Sequence, residues 1–289
     1  MIEDMFLSFD LENIRKKKVL IATPMYGGLC SGEFCNSLFE TGRHFTKNNI
    51  PHDFRNVLGE SLIPRARNEF ADLFLRSDND YLLFIDSDIE FKPTDILILL
   101  EYASKREDME IICAPYPLKK LNWDAIHFAS ENRVVPKELV PMFTGSYFIN
   151  YLDPQQVIKL SEPVKILYGG TGFILIKRSA FEKIKEKRKD LVYLSDRKGS
   201  PRISEKDSEE INPEMMNFFQ CGIDEKTRQY LSEDYMFSEL AREVGVNTWM
   251  IPNIELSHVG AYKYTGSLKS ISFLQEKAMK MELMEAEKK

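Results

Sequence analysis

The stretch Tyr81-Leu82-Leu83-Phe84-Ile85-Asp86-Ser87-Asp88-Ile89-Glu90-Phe91 decides the fold class of this 289-residue chain. Five apolar residues follow the turn-forming run Ser77-Asp78-Asn79-Asp80. A run this short, rich in aromatic and branched side chains, suits a strand covered on both faces of its sheet. It ends in two carboxylates. Side chains alternate along a strand, so Asp86 and Asp88 are expected to project to one side where the chain leaves the sheet. Like charges placed together repel unless a cation, or a ligand carrying one, lies between them. A hard divalent ion bound by oxygen and bridging to phosphate, Mg²⁺ or Mn²⁺, suits that position. A bare Asp-x-Asp also describes two turn residues after a core strand, and the pair alone leaves both readings open.

Upstream, Lys18 to Thr23 reads as a first buried strand, closed by Pro24 and opened into a loop by Gly27-Gly28. Strand, glycine loop and helix in succession is where α/β proteins bind nucleotides, although Pro24 to Gly28 lacks the spacing of a P-loop or a GxGxxG fingerprint. A helix is expected from about Gly32 to Asn48, a second strand over Asp53 to Leu58, and a second helix over Ser61 to Phe74 with Pro64 in its first turn. Arg65 and Arg67 sit where cations oppose the helix dipole, so at least one is expected to face an anion. Arg65 equally suits a solvated head on a packed stem. Downstream, Pro93 opens a helix through Leu100, and Glu110 to Ala114 reads as another strand. This alternation predicts an α/β fold with a mainly parallel, doubly wound, Rossmann-like sheet and helices on both faces.

From Pro115 to about Pro163 the pattern weakens. Lys119, Lys120, Asn122, Trp123 and Asp124 fall in a loop expected to shape a pocket at the carboxyl edge of the sheet; Trp123 suits stacking on a sugar or base, or half-buried packing. Val164 to Tyr168 and Phe173 to Ile176 read as two strands or a hairpin around Gly169-Gly170-Thr171-Gly172, which suits close ligand approach or a tight turn. Arg178 to Lys189 is a charged helix, and Ser195 to Pro213 has the composition of a mobile loop or lid. Ser232-Glu233-Asp234 opens a helix closed by Gly245. Its two acids complement the helix dipole, or one of them reaches a cleft as a general base. A strand over Asn247 to Ile251 leads to the lone His258. Beyond Gly266 a helical tail carries Leu268, Ile271, Leu274, Ala278 and Met281 on one face, docking on its own domain or on a second subunit.

With 43% hydrophobic and 29% charged residues and a net charge of -6 the chain is globular, and that charge argues against a surface that coats nucleic acid throughout. No apolar run reaches the ~20 residues of a membrane span. The start lacks the basic and apolar regions of a secretory signal, so a cytoplasmic location is expected. Cys30, Cys35, Cys113 and Cys221 form no CxxC pair, which suits reduced structural thiols.

In order, the Arg-Asn helix, the strand ending in Asp86-Ser87-Asp88, the Gly-Thr-Gly-Phe strand, the Glu-Asp helix and the downstream histidine resemble the GT-A class of metal-dependent nucleotide-sugar glycosyltransferases. The resemblance covers roughly residues 18 to 262 and is densest in Ala66-Arg67-Asn68 through Asp88 and in Ser232 through His258. It implies a single domain over 1–265, with a nucleotide-sugar half of about 18–115 and an acceptor half of about 116–262, followed by a helical tail over 266–289. It also implies that Asp88 ligates the divalent ion and that Asp86 touches it through water or holds the ribose. His258 would complete the metal shell, favouring Mn²⁺ over Mg²⁺. Thr23, Pro24 and Tyr26 would hold the nucleotide base, Arg67 a nucleotide or phosphate group, and Gly170, Thr171 and Gly172 a donor-sugar or acceptor wall. Asp234, with Glu233 as the alternative, would be the base of an inverting transfer from a nucleotide sugar, a UDP-sugar foremost, to an acceptor hydroxyl.

The acceptor class stays open among glycans, proteins, small metabolites and, as in some bacteriophages, hydroxymethylated DNA bases. Basic clusters at Arg15 to Lys18, Lys119 to Lys120, Lys183 to Lys189 and Arg197 to Arg202 suit a nucleic-acid groove, but interspersed acids make them read as solvated faces. A nucleotidyltransferase using NTP and metal would carry a basic, glycine-rich loop after the first strand, and Pro24 to Gly28 contains no Lys or Arg. A haloacid dehalogenase-type phosphohydrolase would place its carboxylate pair on the first strand. A non-catalytic nucleotide-sugar-binding protein would share the fold and is separated by turnover alone.

Overall fold

The computed structural model describes residues 9–131, 135–153, 155, 158–195 and 214–286. Strand β1 (Val19–Met25), helix α1 (Gly32–Lys47), β2 (His52–Leu58), α2 (Ile63–Arg76), β3 (Tyr81–Ile85), α3 (Pro93–Lys105) and β4 (Ile111–Cys113) follow one another in the alternation expected. Then come α4 (Trp123–Glu131), β5 (Asn150–Tyr151), β6 (Val164–Tyr168), β7 (Phe173–Lys177), α5 (Arg178–Lys187), α6 (Glu233–Glu243), β8 (Thr248–Met250) and α7 (Leu268–Ala286). The eight strands form one sheet in the order β2-β1-β3-β7-β4-β8-β6-β5. Strands β2, β1 and β3 are mutually parallel, as are β4 and β8, whereas β7 and β6 run against their neighbours. The sheet is therefore mixed, with most strands pointing one way.

Period-two alternation assigns each strand residue a side. Leu20, Ala22, Leu82, Phe84, Ile174 and Ile176 pack beneath α2, α5 and α6, which contribute Phe70, Phe74, Phe181 and Phe237. Val19, Ile21, Leu83, Ile85, Phe173 and Leu175 pack on the other face against Phe34 and Phe45 of α1 and Leu97 and Leu100 of α3. Burial on both faces is why β3 reads as an unbroken apolar run, each large side chain contributing roughly 1.5–3 kcal/mol.

Two local expectations differ from the structure, and the choice between two strands and a hairpin resolves to two strands. Pro24 lies inside β1 instead of closing it. Pairing of β1 with β3 stops at Ala22, so beyond that point the ladder has room for a residue without an N–H. Strands β6 and β7 are no hairpin, because β4 and β8 lie between them and Gly169 to Gly172 crosses the sheet edge. A Cβ on Gly170 would lie 2.5 Å from the Tyr116 hydroxyl oxygen, and one on Gly172 would lie 2.7 Å from Tyr116 Cζ. The glycines admit a tyrosine ring. Finally, Lys119 and Lys120 belong to a short strand, Leu118–Leu121, paired with Gly145–Ser146, and Trp123 starts α4 with its ring exposed. The lid expected over Ser195 to Pro213 and the Arg197 to Arg202 cluster lie outside the described residues, apart from Ser195. Among the described residues no helix is long and apolar enough to cross a membrane. Helix α7 buries Leu268 and Leu274 and leaves Met279, Leu283 and Met284 exposed.

Candidate active site

The carboxyl ends of β1, β3, β4 and β8, the amino end of β7 and the first turn of α6 meet at one edge of the sheet. Arg67, in the first turns of α2, is 3% exposed and lies with its guanidinium carbon 5.0 Å from the Phe84 ring centre. Its Nη2 donates to Asp86 Oδ1 at 3.0 Å and its Nε to Glu233 Oε1 at 3.4 Å. Burial alone would lower the Arg67 pKa, but Asp86 and Glu233 beside it raise it. Burial pushes the Glu233 carboxyl above its ordinary value, with Arg67 opposing. Arg67 thus faces two anions of the chain itself. Arg65 pairs with the buried Glu60 through bonds of 2.6 and 2.9 Å instead of standing solvated.

Asp86 and Asp88 lie in a turn, closed by Ile89 N–H on Asp86 O at 3.1 Å. Because β3 ends at Ile85, strand alternation does not govern them, and they take different partners. Asp88 faces the short strand pair Ile89–Glu90 and Ser257–Val259, whose register sets His258 opposite Ile89. His258 Nδ1 donates to the Pro117 carbonyl at 2.9 Å, which leaves Nε2 directed at Asp88 Oδ1, 3.3 Å away. Lys119 Nζ lies 2.5 Å from Asp88 Oδ2. Burial would raise the Asp88 carboxyl, yet the His258 and Lys119 hydrogen bonds outweigh it and hold it below the usual range.

No cluster of three or more His, Cys, Asp or Glu suited to a metal occurs among the described residues. Asp88 and a His258 ring oriented by a carbonyl are nevertheless a suitable pair of donors. They fit a cation shared with a diphosphate, because Mg²⁺-like ions are commonly held by one or two protein groups plus phosphate oxygens. Lys119 occupies a cation's place on Asp88.

Asp234 lies beyond Arg67. The Ser232 hydroxyl donates to its Oδ1 in place of capping α6, as does the Tyr235 N–H at 2.9 Å. Asp234 lines a cleft of about 170 Å³ with Tyr116, Tyr147, Phe148, Tyr168, Gly170 and Tyr235. The Tyr168 and Tyr235 rings stack at 4.4 Å. Tyr116 accepts the Gly172 N–H at 3.2 Å and stands edge-on to His258 at 5.6 Å. Burial above all, with Asp86 adding to it, drives its phenol far above the ordinary range, so it stays protonated.

At the end of β1 the predicted base-binding residues separate. Thr23 and Pro24 are buried, and among the described residues Thr23 Oγ1 has no partner, while the Tyr26 ring is 65% exposed. Thr171 is buried. Sequence reading missed Tyr116 as a site residue, although Pro115-Tyr116-Pro117 follows β4 at the carboxyl edge just as Asp86 follows β3. Sequence reading places Lys119 in a pocket-shaping loop, but nothing in the sequence pairs it with Asp88.

A family model described as Glycosyl transferase family 2 matches residues 64–185, from α2 through Asp86 and Asp88 to α5. Solved structures also match. A197 from STIV is 16% identical with a TM-score of 0.45, covering 86% of this chain and 94% of that one. GalNAc-T7 with UDP, GalNAc and Mn²⁺ is 9% identical with a TM-score of 0.45, covering 84% of this chain and 43% of that one. Mannosyl-3-phosphoglycerate synthase from Rubrobacter xylanophilus is 11% identical with a TM-score of 0.35, covering 59% of this chain and 57% of that one. At these identities the likeness concerns the course of the chain alone. No curated protein sequence matches.

Proposed function

We propose that this protein is a divalent-metal-dependent glycosyltransferase that moves a sugar from a nucleotide sugar, a UDP-sugar foremost, to an acceptor hydroxyl with inversion. The observation that carries this reading is the division of the sheet edge around Tyr116. Asp88 and His258 Nε2 converge at 3.3 Å on one side, and Asp234 lines an aromatic cleft on the other. The match of residues 64–185 to the Glycosyl transferase family 2 model supports the reaction class.

Asp88 and His258 would hold Mn²⁺ or Mg²⁺, with the imidazole favouring manganese. Bound there, the ion stabilises charge on the leaving diphosphate. The exposed Tyr26 ring is available to the base, and Asp86 to the ribose. Gly170 lines the cleft beside Thr171 and Gly172, the proposed sugar wall, and the exposed Phe148 ring suits stacking on a sugar. Asp234 accepts the acceptor's proton. Glu233 is engaged by Arg67 and is the poorer base, so Arg67 and Glu233 serve as positioning residues. The donor half spans about 18–115 and the acceptor half about 116–262.

Thermal shift of wild type and Asp88→Asn against UDP, GDP, CMP and dTDP, with and without Mn²⁺, tests the donor site without knowledge of the acceptor. A manganese-dependent shift with one nucleotide, lost in the variant, is expected. Folded wild type that ignores all four nucleotides contradicts the reading.

A further inference from the structure

Both oxygens of Asp88 are engaged, Oδ1 by His258 at 3.3 Å and Oδ2 by Lys119 at 2.5 Å. A cation held by Asp88 and His258 Nε2 replaces the direct contact between those two groups and meets the Lys119 ammonium on Oδ2. The His258 ring cannot easily move aside, because its Nδ1 is bonded to Pro117 O and its ring abuts Tyr116. Lys119 can. Its side chain is 42% exposed, it stands on a strand whose first three residues are exposed, and its stem runs over Gly260, where an added Cβ would lie 3.3 Å from Lys119 Cδ. A lysine ammonium is a compact charge on a flexible stem and exchanges carboxylate for phosphate oxygen readily.

We propose that Lys119 couples cation and donor binding: its ammonium holds Asp88 until a divalent cation enters with a nucleoside diphosphate, then turns to the diphosphate oxygens. This rests on the nucleotide-sugar reading above. A bare dication entering the site meets the ammonium as a like charge and must break its ion pair. A cation carrying a diphosphate supplies a new anionic partner for it. Each ligand therefore strengthens the other, and by linkage to the same factor. In the completed site Lys119 also faces the charge that gathers on the departing diphosphate.

The test compares wild type, Lys119→Met, which keeps the stem, and Lys119→Arg, which keeps the charge. Mn²⁺ binding is followed by the electron paramagnetic resonance of the free ion, alone and with each of UDP and GDP, and folding is checked by circular dichroism. Lys119→Met is expected to bind Mn²⁺ alone about three- to tenfold more tightly, since an exposed ion pair and a like charge are removed. It should bind nucleotide with Mn²⁺ about tenfold more weakly, so that the mutual enhancement collapses, whereas Lys119→Arg retains most of it. Unchanged or weaker Mn²⁺ binding in Lys119→Met overturns the proposal, as does wild-type affinity for Mn²⁺ with nucleotide. If wild type binds both ligands together and only the Lys119 effects fail, the glycosyltransferase reading stands and this inference falls. If wild type binds neither nucleotide, the diphosphate role falls with that reading, and the Mn²⁺-only arm still decides whether Lys119 guards Asp88.

Discussion

Asp86 and Asp88 stand two positions apart on one turn and are equally exposed, yet the cation on one is buried and the cation on the other is not. Asp86 meets Arg67, which is 3% exposed and also bonded to Glu233, so one buried guanidinium serves two carboxylates and keeps its Nη1 without a hydrogen-bond partner among the described residues. Asp88 meets His258 and Lys119, and the Lys119 side chain is 42% exposed. Buried charge is costly to disturb and holds elements in register, whereas a half-exposed pair exchanges at little cost and suits a ligand site.

Removing Arg67 is the most severe way to break this contrast. Arg67→Met leaves Asp86 and Glu233 without their cation and should cost about 3–5 kcal/mol in chemical denaturation, while Asp88→Asn should stay within about 1 kcal/mol. Equal costs would erase the distinction. On the catalytic side, Asp234→Asn should lower turnover by about 10²- to 10⁴-fold with nucleotide affinity retained. A larger turnover loss in Glu233→Gln, with unchanged stability, would move the base to Glu233. Products of retained anomeric configuration would remove the base role altogether.

A third carboxylate sharpens the comparison through pH. Asp95 is buried at the start of α3, where it accepts the Lys92 N–H at 2.7 Å, and burial raises its pKa from 3.8 to about 6. Its folded value lies above its unfolded one. The stability linked to it is therefore full below pH 3.8 and lost as pH rises through about 6. Asp88, held below its ordinary value, has the opposite sign: its contribution is present above pH 3.8 and fades as pH falls through the depressed value. Urea melts from pH 3 to 8 should show Asp95→Asn gaining on wild type across the upper window by roughly 2–3 kcal/mol at most. A parallel pair of curves would count against it. The smallest effect concerns the exposed Tyr26, where Tyr26→Ala should weaken nucleotide binding a few-fold, about 0.5–1 kcal/mol, with no change in melting temperature.

The alternation from β1 to β4 was legible because buried parallel strands and amphipathic helices write their periods into short windows of sequence. The start and glycine end of α6 were legible for the same local reason; Gly245 takes φ +82°. The common orientation expected of Asp86 and Asp88 extended strand geometry one step past Ile85, where the strand has already ended. Residues 115–163 resisted reading because their elements are short and exposed, so Leu118–Leu121 carries no apolar period. What distinguishes the candidate site was least legible. Tyr116 on Gly172 and Lys119 on Asp88 join positions 56 and 31 apart, and no local pattern encodes such meetings.

Pro115 and Pro117 flank Tyr116, and that short segment then reaches Lys119. The pyrrolidine rings fix φ at both prolines, and each restricts the residue before it. The segment behaves as a stiff bracket whose shape is covalent in origin. One side of it seats the phenol ring over the glycine run, its last carbonyl aims the imidazole, and its far end carries the ammonium. Little chain entropy is left to lose there when a ligand arrives, so slack introduced by Pro117→Gly would blur the aim of His258 while leaving the sheet beneath it intact.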